Sequence, residues 1–133
     1  MSTEQNKEVV RRAMAALGRG DMTGFLTDAD DDFTFTLIGT TPFSGTIRGK
    51  QAVLEALRNA LGTRIEGGGI AMTIDNLIAE GDYVAEQARG KARMKNGKDY
   101  NNTYCRVWRM VNGKVKSVVE YLDTELVRTA FSD

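Results

Sequence analysis

The chain has 133 residues, of which 41% are hydrophobic and 27% charged, with 18 basic and 18 acidic side chains. This length is typical of one domain that is large enough to enclose a ligand cavity. The balanced charge argues against a nucleic-acid partner, and no apolar run is long enough to cross a membrane. The N-terminus has no signal or transit pattern and Cys105 is the single cysteine, so we expect a cytoplasmic protein.

The sequence contains no histidine. This excludes nucleophile systems that depend on imidazole, and metal sites built from histidine. Acid–base chemistry would therefore use Asp, Glu, Tyr, Lys or Cys, and a carboxylate would need a pKa shifted by burial or by a neighbouring charge. The acidic run at 30–32 lacks the rest of a calcium loop. We predict neither a metal nor a cofactor.

The first half of the chain predicts helices and one strand. Apolar residues at helical spacing predict amphipathic helices over 3–17 and 48–61, and Asp21 predicts the N-cap of a short helix between them. The acidic segment 28–32 is interpreted as a solvated loop, and the alternating segment 33–37 as a strand. The segment GTTPFSGT that follows it is rich in turn-forming residues and predicts a loop.

The second half predicts an antiparallel meander, because the hydrophobic period changes to two after Ile70. Its KNGK and VNGK segments are typical of hairpin turns, and DTELVRTAF predicts a terminal helix. The order of elements predicts an α+β fold over 1–133, with helices packed on one face of a curved sheet. The predicted strands span about 70–80, 83–94, 99–111 and 114–122.

The inward face of the strand 83–94 combines small residues with one acid. Ala88 and Gly90 either leave room for a cavity or allow helices to pack closely. Glu86 lies on the same face, where a lone carboxylate costs free energy unless it is paired or protonated. It is therefore either a functional acid or the partner of a buried base such as Arg106.

The strand 99–111 carries a face that mixes aromatic bodies with polar tips, including Tyr104, Arg106 and Trp108. This composition is typical of ligand pockets. It also suits a contact between the sheets of two subunits. The sequence leaves both alternatives open.

Two acids lie where the last strand should end. A regular strand places Glu120 and Asp123 on opposite faces. Glu120, beside Trp108 and Tyr121, is the stronger prediction for an acid–base catalyst. Asp123 is the second catalytic candidate, but DTEL after a strand is equally typical of a helix N-cap.

Four fragments resemble, in order and spacing, the SnoaL-like branch of the NTF2-like superfamily. They are VVRRAMAALGRGD, FTFTL, GKQAVLEALRNAL and YCRVWRMVNGKVKSVVEYLDT. The resemblance implies a cone, in which a strongly bent antiparallel sheet wraps around helices and a pocket opens at its mouth. It also implies a homodimer formed through the sheet. Glu120 matches the acid of the polyketide cyclases, and Asp123 matches the last Asp of the limonene-epoxide hydrolases.

The other catalytic sets of that superfamily are incomplete here, since the steroid isomerase positions fall on Ala13 and Thr36. We expect a cofactor-independent isomerase, cyclase or hydrolase that acts on a small hydrophobic substrate. The alternative is a non-catalytic module that binds a lipophilic molecule or serves as an interaction domain. The predicted catalytic residues are Glu120 and Asp123, and the predicted substrate contacts are Glu86, Tyr104, Arg106, Trp108 and Tyr121.

Overall fold

A computed structural model describes residues 2–132 and contains a six-stranded sheet and four α-helices. A π-helical turn, Arg58–Gly62, continues the third helix, and a 3-10 turn covers Glu66–Gly68. The helices are α1 Thr3–Gly18, α2 Met22–Phe25, α3 Lys50–Leu57 and α4 Thr124–Ala130. The strands are β1 Ala29–Leu37, β2 Gly45–Arg48, β3 Ala71–Glu80, β4 Tyr83–Lys91, β5 Thr103–Val111 and β6 Lys114–Leu122.

The strands follow the order β2-β1-β6-β5-β4-β3 across one curved, unclosed sheet. The last four strands form the predicted antiparallel meander, while β1 pairs in parallel with β6 and antiparallel with β2. The helices bury one face of the sheet, where Trp108 and Phe33 are among the largest fully buried side chains. The predicted α+β architecture, with helices packed on one face of a curved sheet, is therefore confirmed.

Local sequence signals account for several boundaries. Ser2 and Gln5 form a reciprocal capping box, in which the Gln5 amide donates to Ser2 Oγ at 3.1 Å and the Ser2 amide donates to Gln5 Oε1 at 2.8 Å. In the VNGK turn, Asn112 and Gly113 both have positive φ, 50° and 78°. This is the backbone of a type I′ hairpin turn, so the predicted hairpin between β5 and β6 is confirmed.

Strand pairing overrides two of the predicted loops. Residues 28–32 are not a solvated loop, because β1 already begins at Ala29, which pairs with Val115 of β6. The end of GTTPFSGT enters β2, where Ile47 pairs with Phe35. Both segments have weak local strand propensity, and it is the sheet neighbours that hold them extended.

Other predicted elements are shorter in the structure. The helix predicted over 48–61 is α-helical only from Lys50 to Leu57, because Arg48 belongs to β2 and Gly49 has φ of 101°. Around KNGK, β4 ends at Lys91 and β5 begins at Thr103, and the intervening segment keeps only isolated bridges. Within residues 2–132, no helix is both long and apolar enough to cross a membrane.

Candidate functional site

A cavity of about 340 Å³ opens between the helical layer and the end of the sheet formed by β1, β2, β5 and β6. Its volume lies at the lower end of the range for small-molecule pockets, about 300–1,000 Å³. The π-helical turn after α3 and the end of α4 complete its walls. The apolar lining includes Leu17, Phe35, Leu37, Phe43, Ile47, Val53, Leu57, Leu61, Ile70, Val127 and Phe131.

Three charged residues lie side by side at the polar end of this cavity. Glu86 on β4 is directly opposite Arg106 on β5, which is directly opposite Glu120 on β6. Arg106 donates from Nη1 to Glu86 Oε2 at 3.0 Å and from Nε to Glu120 Oε2 at 2.7 Å. Their exposed fractions are only 0%, 2% and 8% in that order. We call this group the inner cluster, one buried cation shared by two carboxylates.

Contacts with Trp108, Met14 and Tyr104 hold the inner cluster in place. Trp108 Nε1 donates to Glu86 Oε1 at 2.9 Å, so both oxygens of Glu86 accept an N–H group. Arg106 Nη1 also contacts Met14 Sδ at 3.4 Å. The guanidinium carbon of Arg106 lies 4.2 Å from the centroid of the Tyr104 ring, a cation–π contact. The plane and position of the guanidinium are therefore set by contacts on three sides.

The charge state of Arg106 follows from this environment. Burial by itself would lower the pKa of Arg106, but the negative charges of Glu120 and Glu86 outweigh burial and raise that pKa. Arg106 is thus a permanent positive charge within the site.

Within the inner cluster, the Nη2 group of Arg106 and the Oε1 atom of Glu120 have no hydrogen-bond partner among residues 2–132. The Tyr104 hydroxyl lacks one as well, but it is buried in the wall of the cavity. Burial raises the pKa of Tyr104 well above its ordinary value, so the hydroxyl stays neutral. One donor and one acceptor of the inner cluster are consequently available to a ligand at this end of the cavity.

The small residues of β4 make room for the Tyr104 ring. Ala88 lies directly opposite Tyr104, and a Cβ atom at Gly90 would lie 2.9 Å from Tyr104 Cε2 and 2.8 Å from Ile70 Cγ2. At Gly90 the space is therefore filled by the side chains of Tyr104 and Ile70, rather than by a helix or by the cavity. The cavity lies beyond Tyr104, toward β6 and β1.

Two predicted substrate contacts lie beneath the cavity. Glu86 and Trp108 are not among the residues that line it, and Glu86 accepts hydrogen bonds from both Arg106 and Trp108. Their contact with a substrate stays a prediction, while the alternative prediction that Glu86 pairs with Arg106 is confirmed. Tyr104, Arg106 and Glu120 line the cavity, and their roles toward a substrate stay predictions.

Asp123 lies outside the cavity and caps α4. Its Oδ1 atom accepts from the amides of Glu125 at 3.0 Å and Leu126 at 3.2 Å. The Asn102 side chain holds the Asp123 backbone, donating to its carbonyl and accepting from its amide, both at 3.1 Å. The alternative prediction that Asp123 is a helix N-cap is therefore confirmed, and its role as a second catalytic acid stays a prediction.

Tyr121 is also outside the cavity. It follows Glu120 on a regular strand, so its side chain points to the opposite, outer face of the sheet, where it is 48% exposed. Tyr121 is not among the residues that line the cavity, and its contact with a substrate stays a prediction.

Several aromatic residues of the cavity were missing from the predicted site. Phe131 packs edge-on against both Phe43 and Tyr100, with ring centroids 5.0 Å apart in each pair. Tyr100 alternates in period two with Tyr104, which is a signal that could have identified it. Phe43 lies in the turn-rich segment before β2, where an apolar residue among polar ones was the only clue.

The chain matches the SnoaL-like domain over residues 10–118. Since this match covers most of the chain, the protein belongs to the SnoaL-like domain family, and the resemblance noted in the sequence is confirmed. No curated protein matches the chain.

Solved structures agree with this family and fold. An NTF2-like protein from Burkholderia xenovorans LB400 is 27% identical, with a TM-score of 0.79 and 99% of each chain covered. Bal32a, from a soil-derived mobile gene cassette, is 25% identical, with a TM-score of 0.85 and 98% of each chain covered. A candidate SnoaL-like polyketide cyclase from Jannaschia sp. CCS1 is 19% identical, with a TM-score of 0.80, covering 98% of this chain and 93% of that one. At that identity the last comparison concerns the fold alone.

Proposed function

We propose that this protein is a cofactor-independent acid–base enzyme that moves a proton next to a carbonyl group of a small hydrophobic substrate. The observation that carries the proposal is the position of Glu120. Among residues 2–132, it is the one carboxylate that lines the cavity. Arg106 holds its Oε2 atom, and its Oε1 atom is left free. A carboxylate placed in this way can accept a proton from a bound substrate.

The proposed step uses the two free groups of the inner cluster together. Glu120 Oε1 removes a proton from a carbon beside the substrate carbonyl, and the C–H electron pair forms the new carbon–carbon double bond. The carbonyl π electrons move to the oxygen, where Arg106 Nη2 donates a hydrogen bond to the enolate. The protonated Glu120 then returns the proton to the same carbon or to another one, so the enzyme ends the cycle unchanged.

The test is proton exchange in D₂O with 2-tetralone as the probe, followed by proton NMR. We expect the wild-type protein to accelerate the loss of the α-proton signal above the buffer rate. Glu120→Gln should lower that acceleration by about 10²–10⁴-fold, the usual contribution of a general acid–base group. Glu80→Gln, an exposed change at the end of β3, is the matched control and should retain it. Equal exchange rates for wild type and Glu120→Gln would refute the role of Glu120.

One observation favours the alternative of a non-catalytic binding module. The pairing of Glu120 with Arg106 at 2.7 Å is also what a purely structural carboxylate would show. In that case the cavity binds a lipophilic ligand without turning it over. Saturation-transfer NMR with the same probe separates the two, because a binding module would bind 2-tetralone and leave its exchange at the buffer rate.

The predicted homodimer through the sheet is also kept as a proposal, supported by the outer face. An apolar row crosses four strands there, with Ala85 and Val107 at its centre and the exposed Ile78 at one end. Val107→Arg should convert a dimer to a monomer in light scattering, whereas Gln51→Arg, on the exposed side of α3, should not. A wild-type protein that is monomeric at micromolar concentration would contradict the proposal.

A further inference from the structure

We propose that the cavity selects neutral ligands that carry a carbonyl or hydroxyl oxygen, and that it rejects carboxylates of the same size. This proposal rests on the proposed function in one respect, namely that the ligand binds next to Glu120. It concerns the charge of the ligand, and it holds whether or not turnover follows binding.

The charge count of the inner cluster is the first argument. Both oxygens of Glu86 accept N–H groups, the arrangement that a carboxylate takes. With Glu120 as a second carboxylate, the inner cluster combines two negative charges with the single positive charge of Arg106, so its net charge is negative. Arg106 and Glu120 are the charged residues that line the cavity within 2–132. Because water screens charges only weakly at a buried site, the excess negative charge would repel an anionic ligand strongly.

The hydrogen-bonding geometry is the second argument. The free Arg106 Nη2 group donates, so it requires an acceptor oxygen on the ligand. Glu120 Oε1 accepts, so it requires a hydroxyl or an acidic C–H group next to that oxygen. A neutral carbonyl or hydroxyl compound satisfies both groups. A carboxylate would instead become the third carboxylate around one guanidinium, close to Glu120 Oε1.

Substitution of Glu86 tests whether the selection comes from the net charge of the inner cluster or from a direct contact with the ligand. Glu86 does not line the cavity, and it is fully buried behind Arg106. Removing its charge therefore changes the charge sum of the inner cluster without changing the cavity wall. If selection depends on that sum, Glu86→Gln should relax the preference for neutral ligands.

The experiment compares two naphthalene probes of similar shape, 2-acetylnaphthalene and 2-naphthoate, by calorimetry at pH 7.5. The wild-type protein should bind the ketone at least tenfold more tightly than the carboxylate. In Glu86→Gln the ratio should fall severalfold, mainly through tighter binding of 2-naphthoate. Glu80→Gln also removes one negative charge, but at an exposed position, and should leave the ratio unchanged.

A second neutralising variant covers the case in which Glu86→Gln does not fold. Glutamine offers one acceptor oxygen to two donors, Arg106 and Trp108, so that variant could lose stability. Glu120→Gln removes the other negative charge and should shift the ratio in the same direction. The proposal is overturned if wild type binds 2-naphthoate as tightly as the ketone, if it binds neither probe, or if the folded neutral variants keep the wild-type ratio. Failure of the D₂O exchange test alone would refute turnover and leave this selection standing.

Discussion

Two clusters in this protein have the same composition, one cation between two carboxylates. In the inner cluster, Arg106 lies between Glu86 and Glu120 beneath the cavity. On the surface, Lys116 Nζ lies 2.7 Å from Asp32 and 3.7 Å from Asp30. The distances are similar, but the side chain of Asp32 is 64% exposed, whereas that of Glu86 is fully buried.

The difference shows that burial, more than distance, decides what an ion pair contributes. The hydrogen bond to Lys116 lowers the pKa of Asp32 and raises that of Lys116, yet water screens both groups and the pair contributes little to folding. In the inner cluster, each charge has lost most of its hydration and depends on its partners. The same combination of one cation and two carboxylates therefore contributes little on the surface, whereas the buried combination is an integral part of the candidate site.

The largest expected effect comes from removing the cation of the inner cluster. Arg106→Met leaves Glu86 and Glu120 buried without a counter-charge, and the free energy of unfolding should fall by about 3–5 kcal/mol. Lys116→Met is the matched change on the surface and should have little effect. Urea denaturation at pH 7 measures both. Similar losses in the two variants would mean that burial does not distinguish the clusters.

A smaller effect is expected at Asp123, an exposed carboxylate that stabilises the fold by capping α4. Asp123→Ala should lower the free energy of unfolding by about 1 kcal/mol, because the amides of Glu125 and Leu126 lose their acceptor. Ligand binding should stay at the wild-type level. Asp123→Asn keeps an acceptor oxygen and should retain most of the stability. A loss of binding in Asp123→Ala with an unchanged unfolding curve would return Asp123 to the site.

The smallest effect at neutral pH is expected from Tyr104→Phe. Its hydroxyl has no partner within residues 2–132, so removing it leaves no orphaned group and should change stability little. Binding of 2-acetylnaphthalene should stay near the wild-type level, because the buried hydroxyl is closed off from the cavity.

The pH dependence of this variant gives a further measurement. Burial raises the pKa of Tyr104 in the folded protein, so the unfolded chain ionises first, near pH 10. This residue's contribution is thus fully present below about pH 10 and is lost as the pH rises toward the folded pKa. Tyr104→Phe should lose less stability than wild type between pH 8 and 10.5 in urea denaturation. The exposed Tyr83→Phe should follow wild type, and an identical loss in Tyr104→Phe would contradict the argument.

Much of the sheet could be predicted from local pattern. Period-two alternation placed Glu86 and Arg106 on the same inward face, and the Asn-Gly turn fixed the start of the β5–β6 hairpin. An irregularity after the Met110–Val115 pair, which no local pattern predicted, then shifts the register by one residue and sets Arg106 opposite Glu120. The DTEL segment likewise contained the cap formed by Asp123. These features depend on contacts between close neighbours in the chain or across one hairpin.

The rest depends on contacts that no local pattern encodes. Asp30 and Asp32 disfavour a strand, yet β1 includes them because β6, more than 80 residues later in the chain, pairs with Ala29 before them and Thr34 after them. The position of the cavity follows from where α3, the β1–β2 hairpin and α4 diverge from the sheet. Period two could show that Glu120 points inward, but it could not show which inward residues would be covered.

Gly90 has a consequence for how this sequence can diverge. A single added methyl group there would press on the Tyr104 ring, and that ring stacks on the guanidinium of Arg106. Substitutions at positions 90 and 104 are thus coupled through this contact, although neither residue is a charged member of the inner cluster. Homologues that acquire a side chain at position 90 should carry a smaller residue at position 104, and with it a differently held arginine.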